Sequence, residues 1–229
     1  RQPGSTLKPF VYELLFEQGG TAATVLDDIA RPMVGGGGAI FEAEDYDGLE
    51  RGPVRARIAL ASSLNLAAID AARRVGAARV VERLRLIDCD GQGNVGASLG
   101  IRGLGEAEEY GAAIALGGPD VRPVDLARAY ATLARGGQPV ALRFDKGQGE
   151  AGPAVMDEGA AALTLDVLRD GRARRDAFGA DLEDVAGGPF GLKTGTSSGW
   201  HDAWASAIGE RHTVVVWLGD PAGGALAEV

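Results

Sequence analysis

The order of residue patterns along the chain predicts an α+β fold in which helices pack on an antiparallel sheet. Through the first three quarters, apolar residues recur with helical spacing in stretches bounded by glycine or proline. Near the end, three short segments rich in β-branched and aromatic residues are separated by turn residues. The chain has 229 residues, of which 45% are hydrophobic, so it can bury a sizeable core. No repeat or linker divides it, and we expect one domain over residues 1–229.

The first helix is predicted to begin at about Ser5 and to end at a glycine pair. Its apolar stripe consists of Leu7, Phe10, Val11, Leu14 and Leu15. Ser5 is expected to cap the free backbone donors, and Pro9 falls in the first turn, where a missing N–H is tolerated. Residues 21–52 lack periodicity and contain a glycine run and an acidic patch, so a surface loop is expected there.

Helical periodicity then predicts further helices over residues 53–60, 66–75, 78–86, 110–116, 123–134 and 158–168. The interruption at residues 62–65 is interpreted as a loop between two of these helices.

The strands are expected over residues 190–196, 203–208 and 213–218, as an antiparallel meander. Alternation along the first strand places Lys193 and Gly195 on one face and Thr194 and Thr196 on the other.

Composition argues against several kinds of partner and site. The net charge of −9 does not suit binding to nucleic acid or anionic lipid. The longest apolar runs, such as residues 214–218, are far shorter than the roughly 20 residues of a membrane span. Cys89 is the single cysteine, so no internal disulfide can form, and His201 and His212 lack metal-site spacing. We therefore expect no cofactor, no metal and no membrane contact from this segment.

Lysine is scarce, because the basic residues are 20 arginines and only Lys8, Lys146 and Lys193. Ser5 and Lys8 form an S-x-x-K motif, and this spacing puts both side chains on one helical face, about 5–6 Å apart at Cβ. They can act as nucleophile and base if burial or a second cation lowers the lysine pKa, and Lys193 is the candidate for that cation. Lys146 is expected on a surface loop.

Two other short motifs can complete such a site. Ser63 can relay a proton towards a leaving amine, and Asn65 can hold Lys8 and a substrate amide. Residues 193–196 read K-T-G-T, where ammonium and hydroxyl groups can take a carboxylate and Gly195 can let a substrate backbone approach closely. In random order the three motifs would occur together in about one sequence in 10,000 of this composition.

Three polar or aromatic residues near the last motif have less specific roles. Trp200 and Trp204 can line a cleft, although aromatic residues at strand spacing are more often part of the core. Asp202 is expected to orient a neighbouring group or cap a turn.

On these motifs the sequence resembles the class A penicillin-binding proteins, most closely those of the 1C type. The matching segments are RQPGSTLKPF from Arg1, DYD from Asp45, RARIALASSLNLAAI from Arg55, YGAAIALGG from Tyr110, LARAYATLARGG from Leu126 and GLKTGTSSGWHDAWA from Gly191. His201 and Asp45 depart from the arginine and asparagine that are usual there. Together these segments span nearly the whole chain.

The resemblance implies the fold of the serine β-lactamases and penicillin-binding transpeptidases, here without the N-terminal strands. It also implies a D,D-transpeptidase that cross-links peptidoglycan stem peptides through a Ser5 acyl-enzyme and is acylated by β-lactam antibiotics. The expected catalytic residues are Ser5, Lys8, Ser63, Asn65 and Lys193, and the expected substrate-binding residues are Thr194, Gly195 and Thr196. Backbone N–H groups of Ser5 and Thr196 would form the oxyanion hole.

The resemblance further implies that residues 1–229 are a partial domain of a longer protein. The parent would carry a glycosyltransferase domain and a membrane anchor at the periplasmic face of the bacterial inner membrane. Two alternatives share the fold. A serine β-lactamase needs a deacylating carboxylate, usually within E-x-x-L-N, and this pattern does not occur in the sequence. A β-lactam-sensing receptor module would keep the serine without turnover.

Overall fold

Helix α1 is the central helix of the fold, and almost every side chain on it is buried. The structure is a computed structural model that describes residues 1–34, 40–86, 104–145, 147, 151–179 and 190–226. Its helices are α1 (Lys8–Glu17), α2 (Ala56–Ala61), α3 (Asn65–Val75), α4 (Ala77–Leu86), α5 (Ala107–Tyr110), α6 (Pro123–Ala134), α7 (Glu158–Arg169) and α8 (Arg175–Phe178). Among the described residues, 3₁₀ turns lie at Gly4–Leu7, Gly111–Leu116 and Ser198–Trp200. The predicted apolar stripe therefore belongs to a helix that is buried on all sides, with α3, α4 and α7 against it.

In the described part of the chain, the strands form one three-stranded antiparallel meander and two antiparallel pairs, β1 with β4 and β2 with β3. They are β1 (Val25–Asp28), β2 (Met33–Val34), β3 (Ile40–Phe41), β4 (Gly52–Arg55), β5 (Gly191–Thr196), β6 (Asp202–Ile208) and β7 (Thr213–Gly219). The meander has the order β5-β6-β7, with Lys193 opposite Ser206 and Gly195 opposite Trp204. Helices α6 and α7 pack on it. The predicted α+β architecture and its three-stranded meander are confirmed.

The helices predicted from periodicity are found with small shifts, except near residue 53. The helix expected over residues 110–116 is instead the last residue of α5 followed by the 3₁₀ segment Gly111–Leu116. The prediction that a helix begins at Pro53 is wrong, because Gly52–Arg55 is strand β4 and α2 starts at Ala56. Proline is tolerated there because β4 pairs with β1 alone among the described strands, so its missing N–H breaks no ladder on the other side.

The prediction of a surface loop over residues 21–52 is wrong where strands form, although residues 42–51 are irregular and mostly exposed. Strand β1 pairs antiparallel with β4, and β2 pairs with β3. Leu26 and Asp28 on β1 are fully buried, and Asp45, in the expected acidic surface patch, is 5% exposed. The β1–β4 pairing joins residues far apart in the sequence, and β2 and β3 have two residues each, so local periodicity reveals neither.

Some sequence predictions fall outside the described residues. They concern Cys89, Lys146 and the glycine run at residues 35–38. Within the part of the chain that the structure describes, no helix combines the length and the apolar character needed to cross a bilayer.

Candidate active site

Ser5 lies in the 3₁₀ turn Gly4–Leu7, which continues directly into α1 with Lys8 as its first residue. The expectation that Ser5 caps this helix is wrong: the N-cap residue is Pro3 for the 3₁₀ turn and Leu7 for α1, and neither makes a side-chain capping bond. Thr6 instead ties the turn through its hydroxyl, which donates to Pro3 O at 2.8 Å. Among the described residues Ser5 Oγ makes no hydrogen bond, so it is available to react.

The Ser5 turn rests on the end of strand β5 by direct backbone contact. Gly4 has a φ of +53°, and a Cβ there would lie 2.7 Å from the carbonyl carbon of Thr196. A Cβ on Gly195 would lie 2.8 Å from Thr6 N. From the sequence, the lack of a side chain at Gly195 was predicted to let a substrate backbone approach closely. In the structure the close approach is made by the turn that carries Ser5.

Lys8 is fully buried and is held by two oxygen atoms. Its Nζ donates to Ser63 O at 2.5 Å and to Asn65 Oδ1 at 2.7 Å. Burial lowers the pKa of Lys8 to about 7, although the carboxylates of Asp45 and Asp28 act in the opposite direction. A lysine in this state is partly a free amine near neutral pH and can accept a proton from serine.

Lys193 approaches the same loop from the sheet side. Its Nζ donates to Ser63 Oγ at 2.7 Å and to Thr194 O at 2.7 Å. Burial first, and then the positive charges of Lys8 and Arg174, hold the pKa of Lys193 well below its usual value. Sequence reasoning predicted burial and a cation pair at this place. The structure brings the two lysines together at Ser63, but the cation pair lowers only the pKa of Lys193, and the lowered pKa of Lys8 comes from burial.

Ser63 connects the two lysines because its carbonyl faces one and its hydroxyl faces the other. It has a φ of +60°, a left-handed conformation that is unusual for a residue other than glycine. Such strain is held in place only where surrounding contacts compensate for it, and it is frequent at functional sites.

Asn65 is the first residue of α3, and its amide orientation is set from both sides. Its Nδ2 donates to Glu44 O at 2.7 Å. This bond orients the amide so that Oδ1 points towards Lys8 Nζ and accepts a hydrogen bond from it. Its backbone N–H donates to Asp45 Oδ1. The sequence gave two signals near these contacts, an acidic patch and the matching DYD segment from Asp45, but neither Glu44 nor Asp45 was predicted to contribute to the site.

The alternation predicted for β5 is confirmed. Lys193 and Gly195 lie on the buried face, whereas Thr194 and Thr196 are exposed. The two threonine hydroxyls are therefore accessible to a ligand that lies along this strand.

The tryptophans after β5 take part in two aromatic pairs, one in the core and one at the surface. Trp204 is buried, donates to Gln2 O at 2.9 Å and packs against Trp217. Trp200 is 56% exposed and meets the ring of Tyr46, itself 89% exposed, at 6.1 Å between centroids. This surface pair links the segment before β4 to the turn after β5.

Asp202 supports the core pair from the start of β6. Its Oδ1 accepts from Trp217 Nε1 at 2.8 Å, so the prediction that it orients a neighbour is confirmed. In the described ranges, no three histidine, cysteine or acidic side chains are grouped so that they could hold a metal ion.

The three motifs therefore meet at the loop of Ser63, where Lys8 arrives from the start of α1 and Lys193 from β5. The family model for the penicillin-binding protein transpeptidase domain matches residues 1–218. The chain belongs to this family. Its transpeptidase domain is 32% identical over 224 residues to penicillin-binding protein 1C of Escherichia coli (strain K12), and it is 29% identical over 241 residues to penicillin-binding protein 1A of Neisseria cinerea.

These alignments cover 97% and 96% of this transpeptidase domain but only 26% and 28% of the two relatives. The domain thus spans about a quarter of the length of the curated relatives it matches.

Solved structures share the fold of this transpeptidase domain. Penicillin-binding protein 1A from Haemophilus influenzae superposes with a TM-score of 0.75 at 22% identity, over 97% of this chain and 38% of that one. Penicillin-binding protein A from M. tuberculosis, solved as an imipenem acyl-enzyme complex, superposes with a TM-score of 0.74 at 19% identity, over 98% of this chain and 56% of that one.

Proposed function

We propose that this domain transfers the acyl group of a peptidoglycan stem peptide through Ser5, as a D,D-transpeptidase. The observation that carries the proposal is the meeting of Lys8 and Lys193 on the two sides of Ser63, beside the turn of Ser5. A buried lysine whose pKa is near 7 is a suitable base for a serine nucleophile at neutral pH.

In the first half of the reaction, Ser5 Oγ bonds to the carbonyl carbon of the penultimate D-alanine and its proton passes to Lys8 Nζ. Backbone N–H groups of Ser5 and Thr196 stabilise the oxyanion, and the contact between Gly4 and Thr196 brings these two segments together. The C–N bond to the terminal D-alanine then breaks. The proton held by Lys8 reaches the leaving nitrogen with the Ser63 hydroxyl as relay.

In the second half, an amine of a neighbouring stem peptide attacks the Ser5 ester. Its proton returns through Ser63 to Lys8 and then to Ser5 Oγ, and a new amide is released. Both halves use the same groups in opposite order, so no further reactant is needed.

The C-terminal carboxylate of the donor peptide is assigned to Lys193, Thr194 and Thr196. The two threonine hydroxyls are exposed on β5, and the peptide would lie along this strand past Gly195. A carboxylate beside Lys193 favours its ammonium form and so opposes the effect of burial. β-Lactams present a carboxylate and a reactive amide and would acylate Ser5 in the same way.

Labelling with a fluorescent penicillin tests the nucleophile. Wild-type protein should carry one adduct, mapped by mass spectrometry to the peptide of Ser5. The Ser5→Ala variant should lose the label, while Ser198→Ala, which removes an exposed hydroxyl after β5, should keep it. Labelling that survives in Ser5→Ala, or an adduct on Ser63, would overturn the assignment.

The reaction itself is tested with a stem pentapeptide and an acceptor amine. A transpeptidase releases D-alanine and forms the amide product, whereas a sensing module binds penicillin without releasing D-alanine. Rapid multiple turnover of penicillin would instead indicate a β-lactamase. No activating carboxylate in an E-x-x-L-N pattern is present, so we expect a long-lived penicilloyl adduct.

The parent protein is proposed to be longer, with a glycosyltransferase domain and a membrane anchor that keep this domain at the periplasmic face of the inner membrane. The class A resemblance and the short coverage of the relatives support this. Membrane fractionation of the native full-length protein, with accessibility to an externally added protease, tests the location.

A further inference from the structure

Two buried carboxylates, those of Asp28 and Asp45, lie directly behind Asn65. Asp45 Oδ1 accepts the backbone N–H groups of Asn65 and of Leu66, the latter at 3.1 Å. Asp28 Oδ1 accepts the N–H of Ala67 at 3.2 Å. The first turn of α3 is therefore held by side chains from outside the helix.

Arg51 fixes these carboxylates from the other side. Its Nη1 donates to Asp45 Oδ2 at 3.2 Å, and its backbone N–H donates to Asp28 Oδ2 at 3.1 Å. Each carboxylate thus uses one oxygen for α3 and the other for Arg51. Asp47 also pairs with Arg51, but it is exposed and makes no bond to α3.

This network reaches the proposed base through a short chain of contacts. Asp45 holds the backbone of Asn65, Glu44 O holds its Nδ2, and its Oδ1 accepts from Lys8 Nζ. Residues 44 and 45 are adjacent in the chain, so one short segment binds both the side chain of Asn65, through Glu44 O, and its main chain, through Asp45. A shift of Asp45 would therefore move the amide oxygen that Lys8 binds.

The same carboxylates act on Lys8 by charge. Burial lowers the pKa of Lys8, while Asp45 and Asp28 raise it. Burial and the neighbouring Asp45 raise the pKa of Asp28 to about 6. The charged and titratable groups that face Asp45 are Asp28 on β1, Arg51 before β4, and Lys8 and Tyr12 on α1.

We propose that Asp45 is a positioning residue for acylation, which orients Asn65 towards Lys8 and whose negative charge sets the pH range in which Ser5 reacts. The inference rests on the proposed function. Asp45 touches no substrate and acts through Asn65 and Lys8. Its two effects are separable, because asparagine keeps an acceptor oxygen but lacks the charge, and alanine lacks both.

The test is the pH dependence of the second-order rate of acylation by a fluorescent penicillin. Without the charge of Asp45 the ammonium of Lys8 is less favoured, so Asp45→Asn should move the midpoint of the rising limb down by about one pH unit. Asp47→Asn is the matched control, since it removes the same charge from the same arginine at an exposed position, and its midpoint should stay at the wild-type value. Asp45→Ala should in addition lower the plateau rate at high pH, by about 10-fold or more, because Asn65 is no longer held.

Asp28→Asn provides a second variant in case Asp45→Asn does not fold, and its midpoint should also move down. Thermal unfolding of each variant identifies folded protein. Midpoints of folded Asp45→Asn or Asp28→Asn that coincide with that of Asp47→Asn would overturn the inference. Labelling that persists in Ser5→Ala would instead overturn the proposed function, so the two failures are distinguishable.

Discussion

The backbone of Gly117 lies against the backbone of Gly4, next to the proposed nucleophile. Gly117 has a φ of +90°, and a Cβ on it would lie 2.5 Å from the Cα of Gly4. Gly4 in turn meets Thr196 on β5. The Ser5 turn is therefore packed between two other backbone segments, and its position depends on the absence of side chains at these glycines.

Replacing Gly117 by alanine should displace the Ser5 turn. A misplacement of about 1 Å typically lowers reactivity by about 100-fold, so we expect at least this loss in the acylation rate of Gly117→Ala. Gly76→Ala is the matched control, because Gly76 has a φ of +92° with no atom within 4 Å of the added Cβ. It should show only the strain of a backbone conformation that favours glycine, about 1–3 kcal/mol in unfolding free energy, and react at the wild-type rate. Equal acylation rates in the two folded variants would contradict this role of the contact.

The hydroxyl of Ser63 should matter far more to the reaction than that of its neighbour. Ser63→Ala removes the group that Lys193 contacts, and we expect acylation slower by about 10² to 10⁴-fold. Ser62→Ala removes a buried hydroxyl that donates to Ala173 O at 2.9 Å, so it should lower the unfolding free energy by about 1–3 kcal/mol without slowing acylation of the folded protein. Stopped-flow labelling and chemical unfolding measure the two effects. The prediction fails if Ser63→Ala reacts as fast as Ser62→Ala.

Acylation by penicillin should rise with pH through a midpoint near 7. Lys8 takes the serine proton only as a free amine, and burial lowers its pKa to about 7. The Lys8→Arg variant keeps a cation that can donate to Ser63 O and Asn65, but its guanidinium does not lose its proton near neutral pH. The acylation rate should therefore fall by about 10² to 10⁴-fold, and the rise of the rate near pH 7 should disappear. A limb that persists in Lys8→Arg would show that another group is the base.

Glu13 should make the domain less stable as the pH rises. Its carboxyl is buried, neither oxygen has a hydrogen-bond partner among the described residues, and Arg83 lies 3.5 Å away. Burial raises the pKa of Glu13 to about 8 although Arg83 acts to lower it. The folded protein thus keeps a proton that the unfolded chain releases above about pH 4.5, and stability falls between that pH and 8.

Glu13→Gln should remove this loss, so its unfolding free energy relative to wild type should increase by roughly 2–4 kcal/mol from pH 5 to pH 8. Glu82→Gln is the control, because it removes the same charge at an exposed position on α4 and Glu82 is not among the groups that shift the pKa of Glu13. Denaturant unfolding at several pH values measures the difference. A pH dependence that is the same in both variants would rule out Glu13 as its source.

The sequence predicted the contributors to the site that stand within short motifs, and it missed those that reach the site through tertiary contacts. The face of β5 that carries Lys193 followed from strand alternation, because this geometry is local. The roles of Asp28 and Asp45 could not be predicted, although Asp45 stands in a segment that matches the family, because their partners are N–H groups at the start of a helix elsewhere in the chain. Pro53 was misleading for a related reason: the same residue suits a helix start and an edge strand, and only the pairing with β1 decides.

The distance along the chain between groups that touch has a consequence for synthesis. Ser63 and Lys193 are 130 residues apart, and the indole of Trp204 binds the carbonyl of Gln2 across 202 residues. During translation Ser63 therefore leaves the ribosome long before β5, the strand that carries its partner Lys193. Such non-local closure is slow compared with helix formation, so a nascent chain should acquire reactivity late and abruptly. Penicillin labelling of ribosome-stalled intermediates would then report on completion of folding, with no signal until β5 to β7 have emerged from the exit tunnel.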